Sequence, residues 1–193
     1  MARIALLAPE ELEGPDAACL EEATERLGFL PHAALTLARV PGLYPVIVEL
    51  GRITLRAGRI DRPLKYLVAY VASTSAGCRF CAAHTSQMAN KIGVVDEKFA
   101  EVWNFESSPA FSRAERAALR VARGAGRVPN EVTDDEMAEL VAHFGDDGAA
   151  EILSVIAYFG FMNRWNDTAL TPLEDPPLEF GLEHLVDKGW QPV

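Results

Sequence analysis

Apolar residues recur at helical spacing between Gly and Pro breaks along most of this chain. The segment DRPLKYLVAYVASTSAG (61–77) places four of them at positions i, i+3, i+4 and i+7: Leu64, Leu67, Val68 and Val71. This spacing marks one face of an α-helix. A half-buried strand would instead alternate apolar and polar residues, and no segment shows a convincing alternation. The sequence therefore predicts an all-α fold of about seven to nine helices.

One segment leaves the type of element open. The stretch LYPVIVELGRITLRAG (43–58) is apolar and carries several β-branched residues, and residues of that kind make a strand conceivable. Two later segments begin with a helix-initiating pair, Ser112 with Glu115 and Thr133 with Glu136. A Ser or Thr followed three residues later by Glu is the pattern of a capping box. These later segments are therefore predicted to be helices.

The domain organisation follows from length and from the distribution of proline. A chain of 193 residues corresponds by default to a single domain spanning 1–193. The segment PLEDPPLEFGLEHLVDKGWQPV (172–193) is rich in proline, and prolines interrupt regular structure. We expect residues 172–193 to wrap the surface as an extended C-terminal arm.

Net charge and cysteine content exclude several classes of function. The formal net charge is −10 and no run of Lys or Arg occurs, so a nucleic-acid backbone would find no attracting surface. No apolar stretch reaches the length that spans a membrane. Three cysteines do not make a disulfide framework, and a reducing cytoplasm is the simplest setting for them. We expect a cytoplasmic protein that binds neither nucleic acid nor membrane.

Two of the three cysteines and one of the four histidines lie in AGCRFCAAHT (76–85). Attachment of a c-type haem requires His directly after the second Cys, and here that position is Ala82. A structural zinc site requires four ligands, usually from two such motifs, and only one is present. Two interpretations remain, a pair of small buried hydrophobic residues or a reactive dithiol. No cofactor and no metal are expected.

The position of the pair favours the reactive dithiol. If Gly77 ends one helix, Cys78 and Cys81 lie in the first turn of the next. Free N–H groups and the positive end of the helix dipole stabilise a thiolate there. His84 follows Cys81 by three residues and shares its helix face, where an imidazole can exchange a proton with a thiol. We therefore interpret Cys78, Cys81 and His84 as a redox-active or nucleophilic site.

Three stretches together resemble a known family: LKYLVAYVAS (64–73), AGCRFCAAHT (76–85) and FGFMNRWNDTALTPLE (159–174). They are similar to the carboxymuconolactone decarboxylase-like superfamily, in particular its AhpD-like (alkylhydroperoxidase D) peroxidase-related branch. The resemblance covers roughly residues 35–174. It implies an orthogonal bundle of helices built around a helical hairpin. It also implies a homo-oligomer, as a dimer, trimer or hexamer.

The resemblance further implies a thiol peroxidase. In AhpD-like peroxidases the second Cys attacks a hydroperoxide and becomes a sulfenic acid, and the first Cys resolves it as a disulfide. An external dithiol or dithiol protein then restores both thiols. Carried over, Cys81 is the attacking thiol, Cys78 the resolving thiol and His84 the proton relay. This order of steps, from thiol to sulfenic acid to disulfide, agrees with the usual order of cysteine oxidation.

Two departures from the AhpD pattern concern the proton relay. AhpD carries a Glu twelve residues before the first Cys, and this chain has Tyr66 there. A phenol is a poor proton acceptor near neutral pH, so either His84 acts alone or another acid, such as Glu49 or Asp61, approaches it. The step from Cys81 to His84 is three residues where AhpD has four, and both spacings keep one helix face.

Further side chains are candidates for a pocket or a relay, although plain packing accounts for them equally well. These are Tyr66, Tyr70 and Phe80 near the cysteines, and Arg164 and Trp165 in the late stretch. Two other functions stay open beside the peroxidase. One is decarboxylation of a lactone or keto acid, which does not need the thiols. The other is a non-catalytic, redox-sensing helical oligomer.

Overall fold

The computed structural model describes residues 2–94 and 96–192. Within these residues it contains α-helices and three short 3₁₀ helices but no strand, which confirms the all-α prediction. The α-helices, in chain order, are α1 (Gly14–Leu27), α2 (His32–Leu37), α3 (Leu43–Arg56), α4 (Arg62–Ser75), α5 (Arg79–Lys91), α6 (Asp96–Ala100), α7 (Arg113–Ala125), α8 (Asp134–Ala169) and α9 (Asp175–His184). The 3₁₀ helices are Pro9–Glu11, Val102–Asn104 and Val186–Lys188.

The segment that left strand and helix open is the helix α3. Its buried residues are Tyr44, Ile47, Gly51 and Thr54, which recur at steps of three and four residues, the helical period. The β-branched Val46 and Ile53 point outward and are 63% and 49% exposed. Burial along one helical stripe therefore outweighs the strand preference of individual β-branched residues.

Helix α4 is the centre of the fold. Every residue from Leu64 to Ser73 is buried, and α4 packs against α5, α7 and α8. A helix that is apolar on all sides suits such a central position. Lys65 is buried with the rest, and its Nζ donates to the carbonyl oxygen of Ala57 at 2.5 Å and lies 3.4 Å from the Glu151 carboxylate. This lysine ties the loop before α4 to α8.

A tight turn joins α4 to α5 and forms the helical hairpin. Gly77 adopts φ +77°, which is the left-handed region that favours glycine. The N–H of Gly77 donates to Thr74 and the N–H of Cys78 donates to Ser73, the two bonds of a Schellman motif. Because both bonds close on the last turn of α4, they fix where Cys78 begins the next helix.

The core is divided into two clusters with a seam between them. One cluster is built on α4, α5, α7 and α8. The other is N-terminal and contains, among others, Leu20, Leu35 and Ile47. Tyr158 and Met162 of α8 contact both clusters. The second half of α8, which follows a break at Gly145 (φ +67°), therefore holds the two clusters together.

The C-terminal segment is not the extended arm that its prolines suggested. Residues Asp175–His184 form α9, and Val186–Lys188 form a 3₁₀ helix. Pro176 and Pro177 lie in the first turn of α9, where a missing N–H costs nothing and the fixed φ suits a helix. Helix α9 packs on α5, and Leu185 and Trp190 behind it are buried. Within residues 2–94 and 96–192, no helix combines the length and apolar character needed to cross a membrane.

Candidate active site

Cys78 and Cys81 lie at the start of α5, as the sequence predicted. Cys78 is the N-cap residue, and its Sγ accepts the backbone N–H of Cys81 at 3.4 Å. Both side chains are buried, with 1% and 3% of their surfaces exposed. All three cysteines of the chain are in the thiol form. The first turn of α5 therefore presents two buried thiols to the unpaired N–H groups of a helix N-terminus.

The two thiols differ in acidity. A hydrogen bond from Cys81 lowers the pKa of Cys78; burial opposes this effect, and the backbone N–H groups of Cys81 and Phe80 support it. Burial raises the pKa of Cys81, and the hydrogen bond and charge of Cys78 raise it further, against a donor from Asn166. Cys78 is therefore the more readily ionised of the two thiols.

Cys81 opens onto a cavity of about 270 Å³ at the seam between the two core clusters. We call this the Cys81 cavity. Its walls are mainly apolar and aromatic side chains, which include Leu37, Tyr44, Ile47, Tyr66, Phe80, Tyr158, Phe159 and Met162. An apolar cavity with few polar groups is typical of a small-molecule site. Two of the sequence-predicted pocket residues, Tyr66 and Phe80, do line it.

His84 lines the same cavity and is held on three sides. The ring of Phe80 lies 4.4 Å from it and the ring of Phe29 lies 5.9 Å from it, centroid to centroid. His84 Nε2 lies 2.7 Å from Glu174 Oε2. A carboxylate on one ring nitrogen fixes the orientation of an imidazole. His84 is thereby held in one orientation in the wall of the cavity.

Glu174 is the acid that the sequence could not identify. It is 4% exposed, and its Oε1 accepts the backbone N–H of His32 at 2.6 Å. Burial opposes its ionisation, but the hydrogen bond and charge of His84 and the N–H of His32 outweigh burial and lower the pKa of Glu174. Glu174 is therefore an anion that faces His84.

Neither acid proposed from the sequence takes this position. Glu49 is exposed and forms a salt bridge with Arg52 on the same helix. Asp61 is exposed ahead of α4. The acid that faces His84 is instead Glu174, just before α9.

Asn166 is a second residue of the site that sequence reasoning missed. Its Nδ2 lies 3.7 Å from Cys81 Sγ and also donates to the carbonyl oxygen of Met162 at 3.0 Å. The side chain is 1% exposed and lines the Cys81 cavity. Both Asn166 and Glu174 belong to the stretch 159–174 that carried the family resemblance, which was the signal available for them.

Cys78 opens onto a different cavity, of about 300 Å³, which we call the Cys78 cavity. Its walls come from the end of α4, the start of α5 and the tail residues 188–191. Tyr70, a predicted pocket residue, lines this cavity and not the Cys81 cavity. Its ring packs on Phe99 and Trp103, at 5.5 and 6.0 Å. The two thiols therefore face two separate spaces.

Arg164 and Trp165 are not brought to the cysteines. Arg164 is exposed, lines a pocket with Ala72 and Asn163, and donates to the carbonyl oxygen of Gly160 at 3.0 Å. Trp165 Nε1 donates to Thr36 Oγ1 at 2.9 Å and joins α8 to α2. The hydrogen bonds of both side chains therefore stabilise the end of α8. In the described part of the chain, no three His, Cys, Asp or Glu side chains converge as a metal ion would require.

Basic side chains gather at the mouth of the Cys81 cavity. Five of its lining residues are exposed cations: Arg26, Arg52, Arg56, Arg62 and Lys91. Among the described lining residues only Glu174 carries a carboxylate, and His84 already engages it. In a chain of net charge −10, this collar creates a local positive field at the opening.

The chain is similar to a known protein family and to a bacterial protein. A family model described as the carboxymuconolactone decarboxylase family matches residues 41–124. The uncharacterized protein YnjA of Escherichia coli (strain K12) is 29% identical over 138 residues, which span 70% of this chain and 75% of YnjA.

Three solved structures share the fold. The apo form of the debrominase Bmp8 is 30% identical, with a TM-score of 0.79 over 88% of this chain and 93% of that one. A cysteine-to-alanine variant of Bmp8 in complex with 2,3,4-tribromopyrrole is 29% identical, with a TM-score of 0.83 over 95% of this chain and 99% of that one. The alkylhydroperoxidase AhpD core, an uncharacterized peroxidase-related protein from Ralstonia eutropha JMP134, is 22% identical. Its TM-score is 0.76 over 94% of this chain and 95% of that one.

Proposed function

We propose that this chain is a dithiol oxidoreductase of the carboxymuconolactone decarboxylase family, whose model matches residues 41–124, and that it reduces organic hydroperoxides. The observation that carries the proposal is the arrangement around Cys81. That thiol lies in an apolar cavity with the His84–Glu174 pair, and the Sγ of Cys78 accepts the backbone N–H of Cys81. A nucleophile, a proton donor and a resolving thiol are the groups that a two-cysteine peroxidase requires.

The first step is attack by Cys81 on the hydroperoxide. Cys81 passes its proton to the Cys78 thiolate along their hydrogen bond and then attacks the terminal oxygen. The S–O bond forms, the O–O bond breaks, and the sulfur gives two electrons to oxygen. Protonated His84 donates to the departing alkoxide, which leaves as an alcohol. Glu174 supports this step because its negative charge stabilises the imidazolium before the transfer.

The second step is resolution. The Cys78 sulfur attacks the Cys81 sulfenic acid, the S–S bond forms, and hydroxide leaves with the Cys78 proton as water. Cys78 is the N-cap one turn before Cys81, so one helical turn brings the sulfurs together. An external dithiol then reduces the disulfide and is itself oxidised. The net reaction consumes a hydroperoxide and a dithiol and yields an alcohol, water and a disulfide.

The walls and mouth of the Cys81 cavity indicate the class of hydroperoxide. Aromatic and aliphatic walls favour an apolar molecule near Cys81. The collar of Arg26, Arg52, Arg56, Arg62 and Lys91 favours an anionic group at the opposite end. An apolar hydroperoxide that carries a carboxylate satisfies both parts of the cavity.

A second candidate is the reductive removal of bromine from an aromatic ring. It is favoured by the 30% identity to debrominase Bmp8 over 88% of this chain and by the aromatic walls of the Cys81 cavity. Replacing a carbon–bromine bond by carbon–hydrogen and bromide needs two electrons and one proton. Oxidation of Cys78 and Cys81 to a disulfide supplies the electrons, and His84 supplies the proton.

Turnover assays separate these functions. We expect dithiothreitol-dependent consumption of cumene hydroperoxide that is lost in Cys81→Ser and retained in Cys19→Ser, a control cysteine that lies outside both cavities. Bromide release from a bromopyrrole, without peroxide consumption, would select the second candidate. Decarboxylation of a lactone by a variant without either thiol would overturn both. A disulfide that forms under oxidant without turnover would indicate a redox sensor.

We also propose that the chain self-associates through α3. Three apolar side chains of that helix, Val46, Leu50 and Ile53, are 63%, 41% and 49% exposed, and their spacing places them on one face. Phe161 and Leu153 of α8, which packs against α3, are exposed as well. Contiguous exposed apolar surface of this kind marks an association site. A second copy of this chain offers the same face in return.

A further inference from the structure

The Cys78 and Cys81 cavities share no lining residue. The first turn of α5 separates them, with Cys81 on one side and Cys78 on the other. A substrate in the Cys81 cavity therefore has direct access to one sulfur only. Any group that reaches the Cys78 sulfur without displacing that substrate must come through the Cys78 cavity.

The C-terminal tail forms the outer wall of the Cys78 cavity. Trp190 Nε1 donates to the carbonyl oxygen of Arg79 at 3.0 Å, and the Trp190 N–H donates to Leu185 at 3.1 Å. The indole lies against Gly181, where an added Cβ would stand 2.7 Å from the ring. Cys78 itself is 1% exposed. The tail thus covers the cysteine while leaving a cavity beneath it.

The attachment of the tail is local and limited. Residues 188–191 lie beyond the last α-helix, and Gly189 turns the chain with φ +83°. Lys188 Nζ bonds to the carbonyl oxygen of His184 at 2.8 Å, within the same segment. Short segments outside the helices open at a smaller free-energy cost than core helices do. Displacement of the buried Trp190 from Arg79 and Gly181 would therefore expose Cys78 while the helices around it stay folded.

We propose that the Cys78 cavity, of about 300 Å³, is the access route for the reductant, a small thiol or dithiol, and that residues 188–191 gate it. This inference rests on the proposed function, because it assigns the reducing half of that reaction. Substrate and reductant then reach the same disulfide from opposite sides. Neither has to leave before the other can bind.

The reduction proceeds in two balanced exchanges. A thiolate of the reductant attacks Cys78 Sγ, the Cys78–Cys81 bond breaks, and Cys81 leaves as a thiolate that takes up the proton released by the reductant. The second thiol of the reductant then attacks the reductant's other sulfur, which is bonded to Cys78, and expels Cys78 as a thiolate. A thiol of low pKa is the better leaving group in such an exchange, and the pKa of Cys78 is lowered by the hydrogen bond from Cys81. The reductant leaves as a disulfide and both cysteines are thiols again.

The test measures each thiol alone, without peroxide. In a Cys19→Ser background, Cys81→Ser leaves only Cys78 and Cys78→Ser leaves only Cys81. Each is treated with 2,2′-dithiodipyridine, and the rate of mixed-disulfide formation is followed by mass. We expect Trp190→Ala to raise the rate at Cys78 about tenfold and to leave the rate at Cys81 within about twofold.

Two further variants keep the proposal testable if Trp190→Ala does not fold. Gln191→Trp places a large ring at an exposed position on the rim of the Cys78 cavity, so the rate at Cys78 falls. Val48→Trp narrows the Cys81 cavity, so the rate at Cys81 falls and that at Cys78 does not. If Trp190→Ala changes both rates equally, or if Gln191→Trp leaves Cys78 unaffected, the proposed route is wrong. Because this test contains no hydroperoxide, its outcome does not depend on whether the protein has peroxidase activity.

Discussion

His84 Nε2 lies 2.7 Å from Glu174 Oε2, although the two residues are ninety positions apart in the chain. The pair crosses from α5 to the residue that precedes α9, and it lies in the wall of the cavity onto which Cys81 opens. The carboxylate also accepts the backbone N–H of His32 at 2.6 Å. One buried anion therefore orients the histidine of the site and anchors the N-terminal helices to it.

Removing the charge of Glu174 is expected to slow the chemistry without weakening substrate binding. In Glu174→Gln the amide oxygen can still accept the N–H of His32, but the negative charge facing His84 is lost. We expect kcat to fall about tenfold to a hundredfold, because proton donation contributes at least that much in general acid catalysis. The KM for cumene hydroperoxide should stay within about twofold, since Glu174 does not contact the reacting atoms. Steady-state kinetics measure both constants.

The control for this change is Glu179→Gln, which alters the same residue type at an exposed position of α9. It should leave both constants unchanged. A rise in KM with unchanged kcat in Glu174→Gln would show that the carboxylate positions the substrate and not the proton.

The acidity of the two thiols gives a prediction on pH. Because the hydrogen bond from Cys81 is the largest cause of the lowered pKa of Cys78, Cys81→Ala should raise that pKa towards the ordinary thiol value. In the Cys19→Ser protein, Cys78 should react with iodoacetamide at a lower pH than Cys81 does. In Cys81→Ala its reactivity profile should move to higher pH. Peptide mass spectrometry after timed alkylation measures this at each cysteine. An unchanged profile would mean that the helix N-terminus alone acidifies Cys78.

The collar of cations should discriminate between substrates that differ only in charge. We expect the double variant Arg56→Glu, Arg62→Glu to lower kcat/KM about tenfold at low salt for a hydroperoxide that bears a carboxylate. The methyl ester of the same hydroperoxide should be little affected, and added salt should reduce the difference. Arg113→Glu is the charge-matched control, because Arg113 is exposed on α7 and does not line the Cys81 cavity. Equal losses for acid and ester would exclude an anionic substrate.

The exposed face of α3 predicts a change in assembly. Val46→Lys with Ile53→Lys should reduce the mass measured by light scattering, because charges on an apolar interface are costly to bury. Val128→Lys with Leu182→Lys alters two other exposed apolar residues and should not. A wild-type protein that is monomeric at all concentrations would contradict the proposed association.

Local features of the site were predictable from the sequence. Gly77 and the two cysteines are neighbours in the chain, and their geometry is set by a helix end, a Schellman turn and a helix start. Those devices depend on a few adjacent residues. The helical period likewise identifies α4 without knowledge of its partners.

The relay acid was beyond such local reasoning. Nothing in the spacing of residues shows that Glu174 approaches His84, because their contact depends on how α9 packs on α5. The same limit applies to Asn166, whose amide reaches Cys81 across the bundle. The Cys78 cavity is also a tertiary property, because the tail around Trp190 forms its outer wall.

The C-terminal segment shows how composition alone misleads. Its prolines suggested an extended arm, but Pro176 and Pro177 fall in the first turn of α9, where a helix tolerates proline best. The β-branched residues of α3 are a second case, since the burial of one helical stripe decided its conformation.

We propose that Cys81 is oxidised first and that Cys78 resolves it. The most direct measurement treats reduced Cys19→Ser protein with one equivalent of cumene hydroperoxide and follows intact mass with peptide mapping. We expect the loss of two hydrogen atoms and a Cys78–Cys81 disulfide. When Cys78→Ser is added, we expect the gain of one oxygen atom on Cys81. Oxygen found on Cys78 in Cys81→Ser, with Cys81 unreactive in Cys78→Ser, would contradict it.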